Sequence, residues 1–331
     1  MLSKLLTLTA ASTLMIAIAP AVQAQDVTRL TVALPVNLCL ANWPFYVAAS
    51  EGMFAEEGLD VAMEGLDGSS TAIQATLAGQ SQIAVSAPAD VLAASGAGAN
   101  LIGFYSFYQY LPFDLVTLAD SDIASLADLE GRTIGMSSPG GGEAIFMRSV
   151  MSNSEIEEGS YEELAVGEGS AAATALTSGV VDAFSASFVD EIIFSAMGLS
   201  YQKLKSETYP AVTGLVLTTP LDYFEANPNV IEGIGRGLAR ATAAGLADRD
   251  LVVSVCGAVA PQETEDMGFA TSVLDAVDPI FTLLEPTNGQ YGQTDEAGWA
   301  EYRDLIIEIG IARPAAAETE VSNQYVSVWN Q

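Results

Sequence analysis

Residues 44–61 read PFYVAASEGMFAEEGLDV, and this stretch decides the fold. Tyr46, Ala49 and Phe54 recur in it at roughly helical spacing, which predicts a short helix directly after an apolar, strand-like run. Gly58 ends that helix, because a helix end commonly takes a left-handed residue and glycine adopts this conformation without steric cost. A second strand-like run follows at once. The stretch therefore predicts a strand–helix–strand unit.

Strand and helix patterns alternate along the rest of the chain, which argues for an α/β fold with mainly parallel sheet. The predicted strands are residues 30–35, 59–63, 82–86, 101–104, 113–118, 132–136, 202–204 and 214–218. The predicted helices include residues 69–77 and 89–94, a long helix that begins at Pro228 after Asn227, residues 299–310 and a final stretch around 325–329.

Residues 79–90 and 179–190 repeat one pattern. Each copy follows an Ala/Thr-rich helix, stops at a glycine and enters a strand. Two ordinary helix–turn–strand units would also give this pattern, but the order and separation of the copies suit two lobes built on one plan. Ligands of open α/β sheets bind beyond the carboxyl ends of strands. The candidate cleft walls are therefore Ser86, Ala87 and Pro88 after the first copy and residues 187–191 after the second, of which Ser187, Phe188 and Glu191 are the candidate contacts.

The N-terminus has the composition of a secretory signal peptide. An apolar run from Leu5 to Ala19 is too short for a membrane span, and small residues stand at 22–24, where signal peptidase cleaves. Residues 1–24 are therefore predicted to be removed after Ala24, which leaves a periplasmic protein. Cys39 lies too far downstream to carry a lipid anchor.

The two cysteines, Cys39 and Cys256, meet an oxidising compartment after export. A disulfide between them and two separate buried thiols are equally compatible with the sequence.

Charge and the absence of histidine exclude several classes of function. The net charge is −31, from 42 acidic and 11 basic residues, so the chain lacks the clustered cations that nucleic-acid binding needs. The scattered acids suit a solvated surface in a saline medium or the attraction of a cationic ligand. Without histidine, Ser-His-Asp and Cys-His nucleophiles are excluded. No phosphate-binding or calcium-binding loop occurs, so no cofactor is predicted.

The opening stretch resembles ABC-transporter solute-binding proteins of the nitrate/sulfonate/taurine and thiamine-pyrimidine-precursor group. The pattern Y-x-A-x-x-x-G-x-F-x-x-x-G-L-x-V of that group is carried here by Tyr46, Ala48, Gly52, Phe54, Gly58, Leu59 and Val61. A second element, I-x-S-x-x-D-L-x-G-x-x-I-G, matches residues 123–135. The resemblance implies a two-lobed, type II periplasmic-binding-protein fold in which the chain crosses twice between the lobes and the ligand lies in the cleft. The expected lobes are residues 25–113 plus 214–331, and residues 114–213.

Further candidate ligand contacts precede or follow predicted strands. Asn42 and Trp43 lie in the loop before the first helix, where Trp43 would stack on a planar ligand or cover a cation, or would staple the helix to the core. Tyr108 belongs to an aromatic segment that either faces the cleft or packs as a crossover strand. The glycine-rich loop exposes backbone N–H groups to an oxygen, or is simply a flexible turn: Ser137, Ser138, Gly140, Gly141 and Gly142.

The choice of solute follows from the residue types near these positions. In pyrimidine-precursor binders an acidic ligand contact lies near the position that Glu191 occupies here. The resemblance implies that Glu191 contacts the ligand in the same way. The alternative is a solvated acid in the first turn of a helix. Arg148 is the only basic residue available near the second wall to bind an anion. Aromatic rings and a carboxylate therefore favour a heteroaromatic such as a pyrimidine or vitamin precursor. A sulfonate, nitrate or taurine anion and a quaternary amine are the alternatives. The resemblance implies a monomer that delivers this solute to an ABC permease; a sensor is the alternative. The related pyrimidine-forming enzymes depend on histidine, so no enzyme is expected.

Overall fold

The computed structural model describes residues 27–206, 209–210, 212–283, 289–315 and 320–331. The predicted signal peptide lies outside the described residues. The strands are β1 Thr28–Leu34, β2 Leu59–Gly65, β3 Ile83–Ser86, β4 Leu101–Tyr108, β5 Phe113–Leu118, β6 Thr133–Met136, β7 Glu162–Ala165, β8 Ala183–Ser187, β9 Tyr201–Leu204 and β10 Leu215–Pro220.

The helices surround these strands. They are α1 Trp43–Ser50, α2 Met53–Glu56, α3 Ser69–Leu77, α4 Pro88–Gly96, α5 Gly142–Asn153, α6 Ser170–Thr177, α7 Phe188–Ala196, α8 Leu221–Ala226, α9 Pro228–Ala247, α10 Arg249–Val259, α11 Met267–Phe281, α12 Glu296–Glu308 and α13 Val326–Trp329. Short 3-10 helices cover Cys39–Ala41, Leu126–Leu129 and Pro261–Glu263. Within the described ranges, no helix is both long enough and apolar enough to cross a bilayer.

The strands form two five-stranded sheets of one plan. Their orders are β2-β1-β3-β10-β4 and β7-β6-β8-β5-β9. The α/β prediction is confirmed. Four strands of each sheet run in one direction, as expected of mainly parallel sheet, but one strand per sheet, β10 or β5, runs antiparallel to both of its neighbours, which makes the sheets mixed. Only residues 109–112 separate β4 from β5. Because β4 and β5 belong to different sheets, this short link carries the chain directly from the first sheet into the second.

The internal repeat corresponds to equivalent positions in the two sheets. β3 and β8 each hold the central position, and each is preceded by a helix and a left-handed glycine, Gly79 with φ 75° and Gly179 with φ 70°. The carboxyl ends of both strands therefore lie where their helices α4 and α7 begin. The two-lobe plan inferred from the repeat is confirmed at the level of sheet topology.

Helix α9 buries an apolar stripe. Ile231, Ile234, Leu238 and Ala241 are each fully buried in the largest apolar cluster. Helix α9 packs against α1.

Trp43 lies in the same core, against the stacking role predicted for it. Its side chain is fully buried and packs edge-on against Phe281, with ring centroids 5.0 Å apart. It also lies over Gly245 of α9, where a Cβ atom would come within 2.1 Å of its ring. Of the two alternatives, the structure supports the staple, because an indole this deeply packed presents no face to a solute.

Gly245→Ala tests this packing. We expect a lower free energy of unfolding, because overpacking costs about 1–3 kcal/mol and outweighs the gain of up to about 1 kcal/mol in helix propensity. Urea unfolding measures the change, and Ala243→Gly at an exposed position of the same helix gives the propensity effect alone. A stabilised Gly245→Ala protein would contradict the placement of Trp43.

Cys39 and Cys256 form a disulfide, which settles the alternative left open by the sequence. It joins the 3-10 helix after β1 to α10, across 217 residues of chain. Beside it, the buried carboxylate of Glu263 accepts hydrogen bonds from the backbone N–H groups of Cys39 and Leu40, both at 2.9 Å. The disulfide and the Glu263 carboxylate together hold the turn that leads into α1.

Reduction of this disulfide is expected to lower the free energy of unfolding by about 2–4 kcal/mol, because the bond restricts a long loop in the unfolded chain. Scanning calorimetry with and without reductant measures the effect. The Cys39→Ser/Cys256→Ser double variant should have a melting temperature near that of the reduced wild type, and addition of reductant should not change it. Equal melting of oxidised and reduced wild type would refute the expectation.

Candidate functional site

The carboxyl ends of β3 and β1 form one wall of the candidate site. Ser86 ends β3 and is fully buried, with no hydrogen-bond partner for its hydroxyl among the described residues. The backbone N–H of Ala87 donates to Ser69 Oγ at 3.0 Å, and Pro88 then begins α4. The predicted residues Ser86, Ala87 and Pro88 thus stand at a strand end, where the Ala87 N–H is tied to α3 and the buried Ser86 hydroxyl is left without a partner among the described residues.

Asn42 and Tyr108 hold backbone in place at the next strand end. Asn42 is fully buried, and its Nδ2 donates to the carbonyls of Val36 at 3.1 Å and Leu38 at 3.0 Å. Tyr108 is buried and its hydroxyl donates to the carbonyl of Ala41 at 2.9 Å. The structure does not bring these two predicted contacts to an open surface. The Tyr108 hydroxyl and Asn42 Nδ2 bind the loop between β1 and α1, whereas Asn42 Oδ1 is buried without a hydrogen-bond partner among the described residues.

The glycine-rich loop forms the opposite wall, between β6 and α5. Ser138 and Gly140 are exposed, whereas Ser137 donates from its hydroxyl to Glu143 Oε2 at 3.1 Å. Two glycines lie close to neighbouring side chains: a Cβ on Gly141 would lie 2.7 Å from Glu143 Oε2, and one on Gly142 would lie 2.9 Å from the Phe113 ring. A side chain at Gly141 would therefore displace the Glu143 carboxylate, and one at Gly142 would displace the Phe113 ring.

Glu143, in the first turn of α5, is the carboxylate at this wall. Burial raises its pKa, hydrogen bonds from its own backbone N–H and from Ser137 oppose the shift, and the nearby carboxylates of Asp190 and Glu168 raise it further. Across the part of the chain that the structure describes, Glu143 makes no ion pair. A half-buried carboxylate among other acids attracts a hydrogen-bond donor or a cation.

The raised pKa of Glu143 has a consequence for stability. The folded chain binds this proton more tightly than the unfolded chain does, so protonation favours folding. Relative to Glu143→Gln, the wild type should therefore gain stability as the pH falls from about 7 to about 5. Urea unfolding of both proteins at the two pH values measures this. A wild type that instead loses stability relative to the variant would contradict the burial of this carboxylate.

Asp190, next to the predicted Glu191, is a structural carboxylate. It is 1% exposed and accepts hydrogen bonds from the backbone N–H groups of Ser187 at 2.8 Å and Gly169 at 2.7 Å. The predicted residue Ser187 completes a capping box, since its hydroxyl donates to Asp190 at 2.7 Å and accepts from the Asp190 N–H at 3.3 Å. These bonds tie the start of α7 to the start of α6.

Asp90 is the counterpart of Asp190 in the first sheet, at the third position of α4. Alanine precedes α4 where Ser187 precedes α7, so no capping box forms and Asp90 instead accepts from the hydroxyl of Ser70 in α3. Burial raises the pKa of Asp90, and the Ser70 hydrogen bond opposes the shift. Asp90 is thus a second half-buried carboxylate at the strand ends.

Sequence reasoning overlooked both Glu143 and Asp90. Each carried a signal: Glu143 directly follows the glycine-rich loop, and Asp90 matches Asp190 in the internal repeat. First-turn acids are common because they interact favourably with the helix dipole, so position alone did not distinguish these two. Their burial does.

Phe188 and Glu191 lie beside residues of α11 and β9. Glu191 accepts from the hydroxyl of Tyr201 at 2.9 Å and forms an ion pair with Lys203 at 2.7 Å. Phe188 packs partly against the core of the first sheet. The two predicted residues share a cavity of about 450 Å³, which the strand-end residues Ser86–Pro88 and Ser137–Gly142 do not line.

Both sheets contribute helices to the contact between the lobes. Ile192 of α7 is 8% exposed and belongs to the apolar cluster of the first sheet, beside α11. On the other side Ile145 of α5 packs against the cluster that contains Trp299 of α12. Apolar side chains thus join the two lobes at two places.

Three known proteins resemble the chain over most of its length. A formylaminopyrimidine-binding protein from Halalkalibacterium halodurans is 25% identical over 285 residues, which is 84% of each chain. The periplasmic aliphatic sulphonate binding protein SsuA from Escherichia coli has a TM-score of 0.67 at 15% identity, over 92% of this chain and 99% of that one. The alkanesulfonate-binding protein SsuA from Xanthomonas axonopodis pv. citri, bound to MOPS, has a TM-score of 0.66 at 16% identity, over 89% and 98%.

The likeness to the two solved structures shows that the fold is that of the periplasmic binding proteins. A sequence profile of the family described as NMT1/THI5 like matches residues 41–250. Because this match covers more than half of the chain, the protein belongs to the NMT1/THI5-like family.

Proposed function

We propose that the chain is the extracytoplasmic solute-binding component of an ABC importer, a monomer that closes two lobes on a small organic solute and delivers it to a membrane permease. Family membership and the periplasmic-binding-protein fold support this function. The Cys39–Cys256 disulfide supports export after removal of residues 1–24, since such bonds persist in oxidising compartments.

The proposed lobes are residues 25–113 plus 214–331, and residues 114–213. The first sheet takes its strands from residues 28–108 and 215–220, and the second from residues 113–204. The two crossings lie close together at the strand ends, and such double crossings make a hinge.

The proposed solute is a heteroaromatic with an amino edge, such as a pyrimidine or vitamin precursor. The observation that carries this choice is Glu143, a half-buried carboxylate with two further acids nearby and no ion-pair partner among the described residues. An amino group donates to such a carboxylate, and the resulting hydrogen bond is charge-assisted. The formylaminopyrimidine-binding relative supports the same class.

A sulfonate, nitrate or taurine anion fits this wall less well. Arg148, the cation predicted to be available there, pairs with Glu163 at 2.6 Å and donates to the carbonyl of Pro139 at 2.9 Å. It therefore holds the glycine-rich loop in place. An anion bound by the backbone N–H groups of this loop would lie beside the unpaired carboxylate of Glu143, and the two negative charges would repel each other.

We propose binding rather than catalysis. The sequence has no histidine, and both cysteines are joined in the disulfide, so neither supplies a thiolate nucleophile. Uptake is proposed in preference to signalling, and loss of solute import in a deletion strain is the expected result.

Thermal-shift screening of pyrimidines, flavin precursors, sulfonates and quaternary amines tests the function. A solute present at a hundredfold excess over its Kd stabilises the folded chain by about 2.7 kcal/mol, which corresponds to a shift on the order of 5 °C. We expect this shift with aminopyrimidines. If no member of any class moved the melting temperature, the proposed function would fall.

A further inference from the structure

Three hydroxyl groups connect the two proposed lobes where the chain returns from the second lobe to the first. Tyr209 lies on this return, between β9 and β10. Its hydroxyl is 2.6 Å from that of Ser149 in α5, and it also shares a hydrogen bond with the hydroxyl of Tyr302 in α12. Helix α5 belongs to the second proposed lobe and α12 to the first. We call this chain of three hydroxyls the hydroxyl bridge.

Every member of the hydroxyl bridge has a partner for its proton. Ser149 donates to the carbonyl of Phe146 at 2.8 Å, which leaves its oxygen to accept from Tyr209. The Tyr209 oxygen accepts in turn from Tyr302. Burial raises the pKa of both phenols, so both keep their protons and both can donate. Because Ser149 and Tyr302 are buried, a break in the bridge leaves a buried hydroxyl without its partner.

The ring of Tyr209 reinforces the same connection. It packs against the apolar cluster of the first sheet that contains Tyr302 and against the cluster of the second sheet. It stands edge-on to Phe146, with ring centroids 5.6 Å apart, and edge-on to Tyr302, with centroids 6.3 Å apart. Ile145 of α5 packs against the same first-lobe cluster. These contacts require that α5 lie against α12, as it does here.

We propose that Tyr209 is an interlobe latch, which holds α5 of the second lobe against α12 of the first before the solute binds. The inference rests on the proposed function, since it concerns the closing of the same two lobes. Glu143 lies six residues before Ser149 on α5, so the latch also positions this carboxylate. Tyr209 acts through α5 and is therefore a positioning residue. It reduces the free energy that the solute must supply to bring the lobes together.

Small-angle X-ray scattering of the solute-free protein tests the latch. We expect the wild type to scatter as this structure does. Tyr209→Phe keeps the ring but breaks both hydrogen bonds, and the Tyr302 hydroxyl then finds water only when the lobes separate. The equilibrium should shift about tenfold toward separated lobes, which gives a larger radius of gyration. Tyr302→Phe breaks one of the two bonds and should give a smaller increase.

Titration with 4-amino-2-methylpyrimidine provides a second readout. The affinity of Tyr209→Phe should fall by the factor by which its joined fraction falls, because only the joined lobes hold the solute. Saturating aminopyrimidine should return the radius of gyration of the variant to the wild-type value. A purely structural role of Tyr209 would lower the melting temperature without changing the radius of gyration.

Tyr223→Phe is the matched control, since it removes a phenolic hydroxyl from α8, within the first lobe alone. It should change neither the radius of gyration nor the affinity. An unchanged radius of gyration in Tyr209→Phe and Tyr302→Phe would overturn the latch, and so would a solute-free wild type with separated lobes. Scattering needs no solute, so failure of the aminopyrimidine to bind counts against the proposed function and leaves the scattering result to decide on the latch.

Discussion

Glu143→Gln is expected to weaken solute binding about 10- to 100-fold. A hydrogen bond to a charged group is worth about 1.5–3 kcal/mol, and every 1.4 kcal/mol changes Kd about tenfold. The neutral amide keeps the shape of the side chain, but it accepts a weaker hydrogen bond from an amino group and loses the attraction for positive charge. Equilibrium titration of both proteins with the solute found by thermal-shift screening gives the ratio of Kd values.

Glu130→Gln is the matched control for this experiment. It removes the same charge from an exposed position outside the glycine-rich wall, so the affinity for the solute should stay unchanged. If the Glu143→Gln protein bound the solute as tightly as the wild type, Glu143 would not be a ligand contact. Glu143→Asp should recover part of the affinity, since it restores the charge on a shorter stem.

Asp190→Ala is expected to lower the free energy of unfolding by about 3–5 kcal/mol. The change leaves the buried backbone N–H of Gly169 and the partly buried N–H of Ser187 without the Asp190 acceptor, and it removes the capping box of α7. Each unsatisfied buried donor costs about 1–3 kcal/mol, and loss of a cap about 1 kcal/mol. Urea unfolding measures the loss.

Asp222→Ala provides the comparison, because Asp222 is an exposed first-turn acid of α8 and its loss should change stability by less than about 1 kcal/mol. Equal effects of the two substitutions would show that Asp190 is an ordinary first-turn acid. That result would also remove the reason for assigning the ligand carboxylate to Glu143 instead of Asp190.

The features that follow local rules were predictable from the sequence. Residues 69–77 and 113–118 form the predicted helix and strand because periodicity and a glycine stop act within one element. The repeat around Gly79 and Gly179 gave the two-sheet plan for the same reason. The direction of β5 and β10 was missed, because it depends on how the chain passes between sheets and not on the pattern of either strand.

The ligand contacts were predicted less well because side-chain direction is a tertiary property. Trp43 was assigned to the solute from its place in a loop, yet its ring fits over Gly245, some 200 residues away. Glu191 and Asp190 are neighbours on α7, and the helix turns one toward Lys203 and the other toward Gly169. Only the packed fold distinguishes a carboxylate that caps a helix from one that has capacity left for a ligand.

Calorimetric titration of the purified protein with 4-amino-2-methylpyrimidine and, separately, with methanesulfonate tests the central claim most directly. The account predicts saturable binding of one aminopyrimidine per chain and no binding of the sulfonate under the same conditions. Saturable binding of methanesulfonate without binding of the aminopyrimidine would contradict it.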